Sequence, residues 1–193
     1  MVYLYLRVVQ RNRAKQIIEQ LNLVELPRES GLYQLAVTSQ IQVLTQESEK
    51  ENLAVQNSIY YMLTEDYPVN YLHWLSPDDT HILVEGDPVD YYLFFPDGHV
   101  EKQTIGRDLS AGQRHFVFAP GGCWKALKIC PGTVFALMYS VVSPQFTPDR
   151  VVIGAGDSFI EKYVGKAPWA TEQFLRELIG PNYVASQEGR KEA

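Results

Sequence analysis

Through the middle of this chain, apolar and polar residues alternate over short runs. Both flanks instead repeat at helical spacing. Residues 10–22 place Ile17, Ile18 and Leu21 on one face, with Arg, Lys, Gln and Glu elsewhere, and so predict a helix. Pro27 and Gly31 punctuate the chain, and residues 32–37 read as a strand. The polar segment 45–52 reads as a solvated loop. Residues 58–63, 71–75, 81–85, 89–95, 99–105, 114–119, 124–129 and 133–142 are strand candidates. Turn clusters separate them: Pro77-Asp78-Asp79, Glu85-Gly86-Asp87-Pro88, Pro96-Asp97-Gly98, Ser110-Ala111-Gly112 and Pro120-Gly121-Gly122. Asp97-Gly98 between two β runs is a strong hairpin signal. Short strands at this spacing, with no helix-length crossover, predict a jelly roll or small barrel and disfavour a parallel α/β fold. Helical spacing returns at residues 157–164, with an apolar stripe of Phe159, Ile160 and Tyr163. It returns again at 168–179, with Phe174, Leu175 and Leu178 inward and Gly180-Pro181 as the stop.

The expected organisation is therefore a β-barrel with an N-terminal helix over residues 1–150, a helical extension packed on it over 151–185, and a polar tail at 186–193. A chain of 193 residues can bury a full core, and 46% hydrophobic with 21% charged content is ordinary for a globular protein. The net charge of −6, with no Lys/Arg cluster, argues against nucleic acid as a partner. The apolar start, residues 1–9, is interrupted by Arg7 and followed by Arg11 and Arg13. It is too short to span a bilayer and carries its charges on the wrong side for a secretion signal, so it is expected to pack on the barrel, with no membrane partner. Cys123 and Cys130, the two cysteines, are disfavoured as a bridge and suit a reducing compartment, so the expected location is the cytoplasm.

Candidate chemistry concentrates in the barrel. Metal-binding cupin barrels, which this β pattern resembles, use His-x-His followed by a Glu on one strand. A third His follows a Pro-x-Gly turn on another strand. Alternate strand residues point inward, so such spacings converge on one ion. Here Tyr71-Leu72-His73 keeps only the second imidazole. Asp79 stands in the place of the Glu, and Gly86 follows at the expected spacing. Pro120-Gly121-Gly122 is retained, but Lys125 occupies the third His position. An ammonium repels a cation, so neither a catalytic metal nor another cofactor is expected.

The ordered set 58–63, His73-Trp74, Gly86-Asp87-Pro88, Pro96-Asp97-Gly98, Ala111-Gly112-Gln113 and Pro120-Gly121-Gly122-Cys123-Trp124 resembles a family of small cupins of unknown function, over roughly residues 17–148. The resemblance implies a homodimeric double-stranded β-helix, all-β at its core, with a deep polar pocket. It also places the family's pocket Arg and Glu at Gln34 and Leu35, where that chemistry is lost.

His73 is the leading candidate for chemistry. Tyr71, two residues earlier, is expected on the same face as its acid–base partner. Asp79, Lys125, Tyr61, Gln113, Trp124 and Tyr139 are candidate ligand contacts, with Lys125 favouring an anion; a one-residue slip would exchange Lys125 for Trp124. Three functions follow as expectations. The first is a barrel that binds a small, possibly anionic molecule without a catalytic metal. The second is a metal-independent isomerase or epimerase of a sugar-like or nucleotide-like substrate. The third is an interaction scaffold using exposed Phe159, Tyr163, Trp169 and Phe174.

Overall fold

The computed structural model describes residues 2–44 and 52–185. Residues 45–51 of the expected polar loop and the expected tail at 186–193 lie outside them. Helix α1 (Val2–Leu21) leads into β1 (Val24–Glu25), β2 (Leu32–Thr38), β3 (Gln42–Val43), β4 (Leu53–Ala54), β5 (Asn57–Thr64) and β6 (Val69–Leu75). Next come β7 (Asp78–Gly86), β8 (Val89–Phe94), β9 (Val100–Ile105), β10 (Phe116–Ala119), β11 (Trp124–Ile129), β12 (Phe135–Ser143) and β13 (Val151–Ile153). Helices α2 (Asp157–Tyr163) and α3 (Glu172–Ile179) follow. A six-stranded sheet, β1-β2-β5-β12-β7-β10, faces a five-stranded sheet, β13-β6-β11-β8-β9. Neighbouring strands in both are antiparallel, and the cupin-type jelly roll expected from the alternation is present.

Burial follows the two-residue period. On β7, Asp79 and His81 are buried while Ile82 and Val84 are exposed; on β10, Val117 and Ala119 are buried while Phe116 and Phe118 are exposed. Tyr61, Leu63, Tyr91, Leu93, Ile105, Leu127 and Met138 fill the space between the sheets. Each sheet also carries a helical layer. The C-terminal half of α1 buries Ala14 and Ile17 against Met62, Phe135 and Leu137. Its N-terminal half corrects the expectation of apolar packing. Leu4, Tyr5, Val8 and Val9 stand exposed, and that half is tied by charge instead, through Arg7 and Arg11 on Glu65, with Arg13 on Glu85 at the start of the other half.

On the opposite side, α2 and α3 cover the five-stranded sheet. Phe94 meets Phe159 at 5.0 Å, Tyr163 at 5.3 Å and Trp169 at 5.8 Å between ring centroids, and Tyr92 meets Phe174 at 5.1 Å. These are the rings that a scaffold role would require free; they are spent on the chain's own sheet, and that reading loses its basis. Helix α3 begins later than Pro168. The Thr171 hydroxyl caps it by accepting from the Phe174 amide at 3.2 Å. Past residue 150 the chain adds β13 to the sheet before turning helical.

The docked helices depend on Phe94. Phe94→Ala should cost about 3–5 kcal/mol, because three aromatic neighbours cannot collapse into the void. Denaturant unfolding of the two proteins measures this directly, and a loss below about 1 kcal/mol would show that the aromatic layer is loosely held.

Candidate functional site

The turn between β1 and β2 carries two non-glycine residues in the left-handed region, Arg28 at φ 67° and Ser30 at φ 68°, followed by Gly31 at φ 86°. Such conformations cost on the order of 1–3 kcal/mol each and persist only where surrounding contacts enforce them. Gly31 has a second constraint, since a Cβ there would lie 2.3 Å from the Tyr61 hydroxyl oxygen. That hydroxyl donates to the Ser30 carbonyl at 2.9 Å. The turn closes on itself through Leu26 N–H to Gly31 O at 2.9 Å and Ser30 N–H to Leu26 O at 3.1 Å. It is pinned to β6 by the Tyr71 amide and the Asn70 side-chain amide, which donate to the Glu29 carbonyl at 2.7 and 3.2 Å.

The β6 end of that contact is a β-bulge. His73 pairs with Lys125 and Asn70 with Leu127, so one extra residue of β6 is accommodated between them. A bulge re-aims side chains. Asn70, His73 and Leu75 therefore line the barrel cavity, while the Tyr71 ring turns outward against Gly180 and the C-terminal helical layer. This corrects the expectation that Tyr71 and His73 share a face, which assumed an unbroken period of two. The isomerase reading thereby loses its acid–base pair.

The cavity has a volume of about 110 Å³. Its polar lining includes Glu29, Asn57, Ser58, Asn70, His73, Asp79, His81 and Ser140, with the phenols of Tyr33 and Tyr61; Leu26, Ile59, Leu75, Val142 and Phe146 are its apolar neighbours. The His73 Nδ1 lies 2.9 Å from the Tyr71 carbonyl, which can only accept, so Nδ1 carries the proton and Nε2 presents a lone pair. Nε2 is 3.7 Å from the Glu29 carboxylate. Burial lowers the His73 pKa, against the opposing pull of Glu29 and with help from Lys125.

Behind this pair lies a charged cluster that bridges the two sheets. Lys125, 1% exposed on β11, donates to Asp79 on β7, itself 3% exposed. Ser140 on β12 donates to the other carboxylate oxygen at 2.8 Å. His81 Nδ1 stands 3.6 Å from Asp79 and 3.2 Å from the Tyr91 hydroxyl. Burial would raise the Asp79 pKa, but His81 and Lys125 and the hydrogen bonds from Lys125 and Ser140 hold it at about 2. Burial lowers His81 to about 4 despite the Asp79 charge, leaving it neutral at neutral pH.

The structure thus brings His73, Asp79 and Tyr61 to the cavity and Lys125 directly behind it. Three other candidates sit elsewhere. Trp124 points outward against Phe159 at 5.6 Å, as strand alternation from an inward Lys125 requires. Gln113 closes its own loop by accepting from the Asp108 amide at 2.9 Å. Tyr139 lies on the outer face of β12 beside Tyr60, with its hydroxyl 2.6 Å from Ser58. Glu29, Asn70, His81 and Ser140 were missed. For His81 the signal is in the sequence: Asp79 and His81 share a face once β7 starts at Asp78, whereas Pro77-Asp78-Asp79 predicts a turn there. Gln34 and Leu35 take no part in the lining, and an acid comes instead from Glu29.

A cupin metal would need His, Asp and Glu ligands converging on one point. Among the described residues no three His, Cys, Asp or Glu side chains do so. The Lys125 ammonium occupies the Asp79 carboxylate that would otherwise be a ligand, so the donor set does not fit a cupin metal ion.

Against this geometry, the profile of the Cupin superfamily (DUF985) matches residues 15–153. The chain belongs to that family. The uncharacterized protein YML079W of Saccharomyces cerevisiae is 32% identical over 120 residues, 61% of this chain and 59% of its own length. The chain thus matches about three-fifths of that relative. A hypothetical protein from Leishmania major has the same fold, with a TM-score of 0.72 at 23% identity, covering 83% of this chain and 97% of that one. Protein SO0799 from Shewanella oneidensis also shares it, with a TM-score of 0.71 at 24% identity, covering 86% and 96%.

Asp79→Asn would leave a buried ammonium facing a neutral amide and should cost about 3–5 kcal/mol. Replacing both partners, Asp79→Leu with Lys125→Met, should recover most of that loss, since paired apolar groups tolerate the interior. Urea titrations of the single and double variants decide it. A single variant within about 1 kcal/mol of the parent would mean the pair is not desolvated.

Proposed function

We propose that this cupin binds a small, largely apolar molecule with one polar head, held in the barrel without a catalytic metal. The observation that carries this reading is the roughly 110 Å³ cavity, whose lining joins Leu26, Ile59, Leu75, Val142 and Phe146 to the Glu29–His73 pair. Pockets built mainly of apolar surface, with a few placed polar groups, are the usual form of small-molecule sites. The anion preference expected of Lys125 is not part of the proposal. Its charge is neutralised by Asp79 and does not reach the lining.

We further propose that the native form is a homodimer. Ile82 and Val84 on β7 and Phe116 and Phe118 on β10 form a continuous apolar patch on the outer sheet face, 38–56% exposed. Their strand β10 is the open edge of the six-stranded sheet. Exposed apolar patches beside a free edge invite pairing, and a patch that matches itself suits a two-fold contact with a second copy. Cytoplasmic residence fits the unpaired Cys123 and Cys130 thiols. None of the described helices is long and apolar enough to cross a membrane.

A library of compounds with up to about six heavy atoms, screened by protein-observed NMR, tests the cavity reading. Shifts should centre on Glu29, His73 and Ser140 and vanish in Val142→Trp, whose ring fills the space while circular dichroism reports an intact fold. A screen without such shifts, or shifts that persist in the filled variant, would refute it. For the dimer, sedimentation of the parent at micromolar concentration should give twice the chain mass, and Phe116→Asp with Phe118→Asp should give one. A monomeric parent would overturn the assignment.

A further inference from the structure

The Glu29–His73 pair in the cavity lining faces two acceptors toward each other. His73 is 3% exposed, its Nδ1 proton is committed to the Tyr71 carbonyl, and its Nε2 has no hydrogen-bond donor among the described residues. The Glu29 carboxylate, 3.7 Å away, is likewise without a hydrogen bond from a described residue, although its backbone carbonyl accepts twice. Two acceptors at that separation repel unless a donor lies between them. An atom about 2.9 Å from each would complete both bonds. The nearby hydroxyls cannot supply it: Tyr61 donates to the Ser30 carbonyl and Ser140 to Asp79. The donors left in the lining are the side-chain amides of Asn57 and Asn70, the latter already engaged with the Glu29 carbonyl, the phenol of Tyr33, the Ser58 hydroxyl, which is paired with Tyr139, and the single N–H of neutral His81; among the described residues none of them bonds His73 Nε2 or the Glu29 carboxylate. Charge points the same way. Asp79 is balanced by Lys125, His73 and His81 are neutral, and Glu29 leaves the cavity with one uncompensated negative charge.

We propose that the Glu29–His73 pair receives the protonated amine of a small aliphatic ligand, which donates to both while its apolar body lies along Ile59, Leu75, Val142 and Phe146. This rests on the cavity-binding reading above and specifies the ligand's head group. A charged donor between a carboxylate and an imidazole lone pair makes two charge-assisted hydrogen bonds, whereas an alcohol of the same shape can satisfy only one acceptor at a time. A carboxylate would face Glu29 with like charge. The strained turn has a role in this arrangement: it holds the acid over His73 at a fixed distance before the ligand arrives.

The test uses three probes of matched shape, n-butylamine, butan-1-ol and butyrate, titrated at neutral pH into the full chain. Cavity shifts and calorimetry are followed together. The amine is expected to bind at least tenfold more tightly than the alcohol, and butyrate to give no cavity shifts. Glu29→Gln should weaken the amine at least tenfold and abolish its advantage over the alcohol, while alcohol shifts retained at Val142 and Ser140 report that the variant keeps its cavity. If the alcohol equals the amine, or butyrate binds, the ammonium assignment fails while cavity binding stands. The assignment fails equally if Glu29→Gln leaves the amine unaffected. If none of the three shifts the cavity residues, both proposals fall together.

Discussion

The buried Lys125–Asp79 pair is the constraint around which the barrel interior is arranged. It joins β11 of one sheet to β7 of the other, with both side chains almost fully withdrawn from water. Removing two charges from water costs several kcal/mol per ion, and their mutual attraction repays this only with good geometry and satisfied remaining lone pairs. Ser140 supplies one such bond, and His81 and Tyr91 extend the network. The net gain in stability is small, but the gain in definition is large. A slip of one residue in either strand would swap the ammonium or the carboxylate to an outer face and strand its partner. The same pair determines the chemistry of the cavity. It removes the ligand set a cupin metal would use and withdraws the Lys125 ammonium from the ligand.

With the interior so fixed, the cavity's character comes from two local departures from regularity. The bulge in β6 inserts one residue opposite Ala126 and turns His73, rather than Tyr71, toward the cavity. The turn at Arg28, Glu29 and Ser30 places two non-glycine residues, Arg28 and Ser30, in the left-handed region. The turn's strain is offset by bonds to three distant segments: Tyr71 on β6, Asn182 after α3, which donates to the Arg28 carbonyl at 2.7 Å, and Ile153 on β13, whose carbonyl accepts from Arg28 at 3.1 Å. A turn held from three directions is a rigid mount for its one inward carboxylate.

The sequence made the architecture legible because binary patterning and turn chemistry are local. Alternation located β5, β8, β11 and β12 to within a residue or two, and Asp97-Gly98 marked the turn between β8 and β9. The Pro-x-Gly turn left two registers open, Lys125 inward or, one residue slipped, Trp124; the structure has Lys125 inward and Trp124 against Phe159. Parity failed where the backbone departs from two-residue repetition. Tyr71 was assigned to the wrong face because no local signal announced the bulge. Asp79 was separated from His81 because Pro77 and paired aspartates read as a turn, when burial and the Lys125 charge draw both into β7. Glu29 sits in a segment with no period, and its place over His73 is set by tertiary bonds from β6. Trp124, Gln113 and Tyr139 are polar-capable residues with structural partners elsewhere, and residue type alone does not separate the two uses.

Tyr71, although outside the cavity, links these pieces. Its amide donates to the Glu29 carbonyl and its own carbonyl fixes the His73 proton on Nδ1, so one peptide unit on each side of a single residue orients both members of the pair. Its ring packs where Gly180 leaves room, since a Cβ there would come within 2.3 Å of it. The helical layer on the outer face of the five-stranded sheet therefore bears on the cavity it never touches. Displacing the segment after α3 would free the Tyr71 ring, and with it the two backbone bonds that hold Glu29 and His73 at their separation. A residue that sequence parity proposed as an acid is, in the folded chain, the support on which the acid and the imidazole both rest.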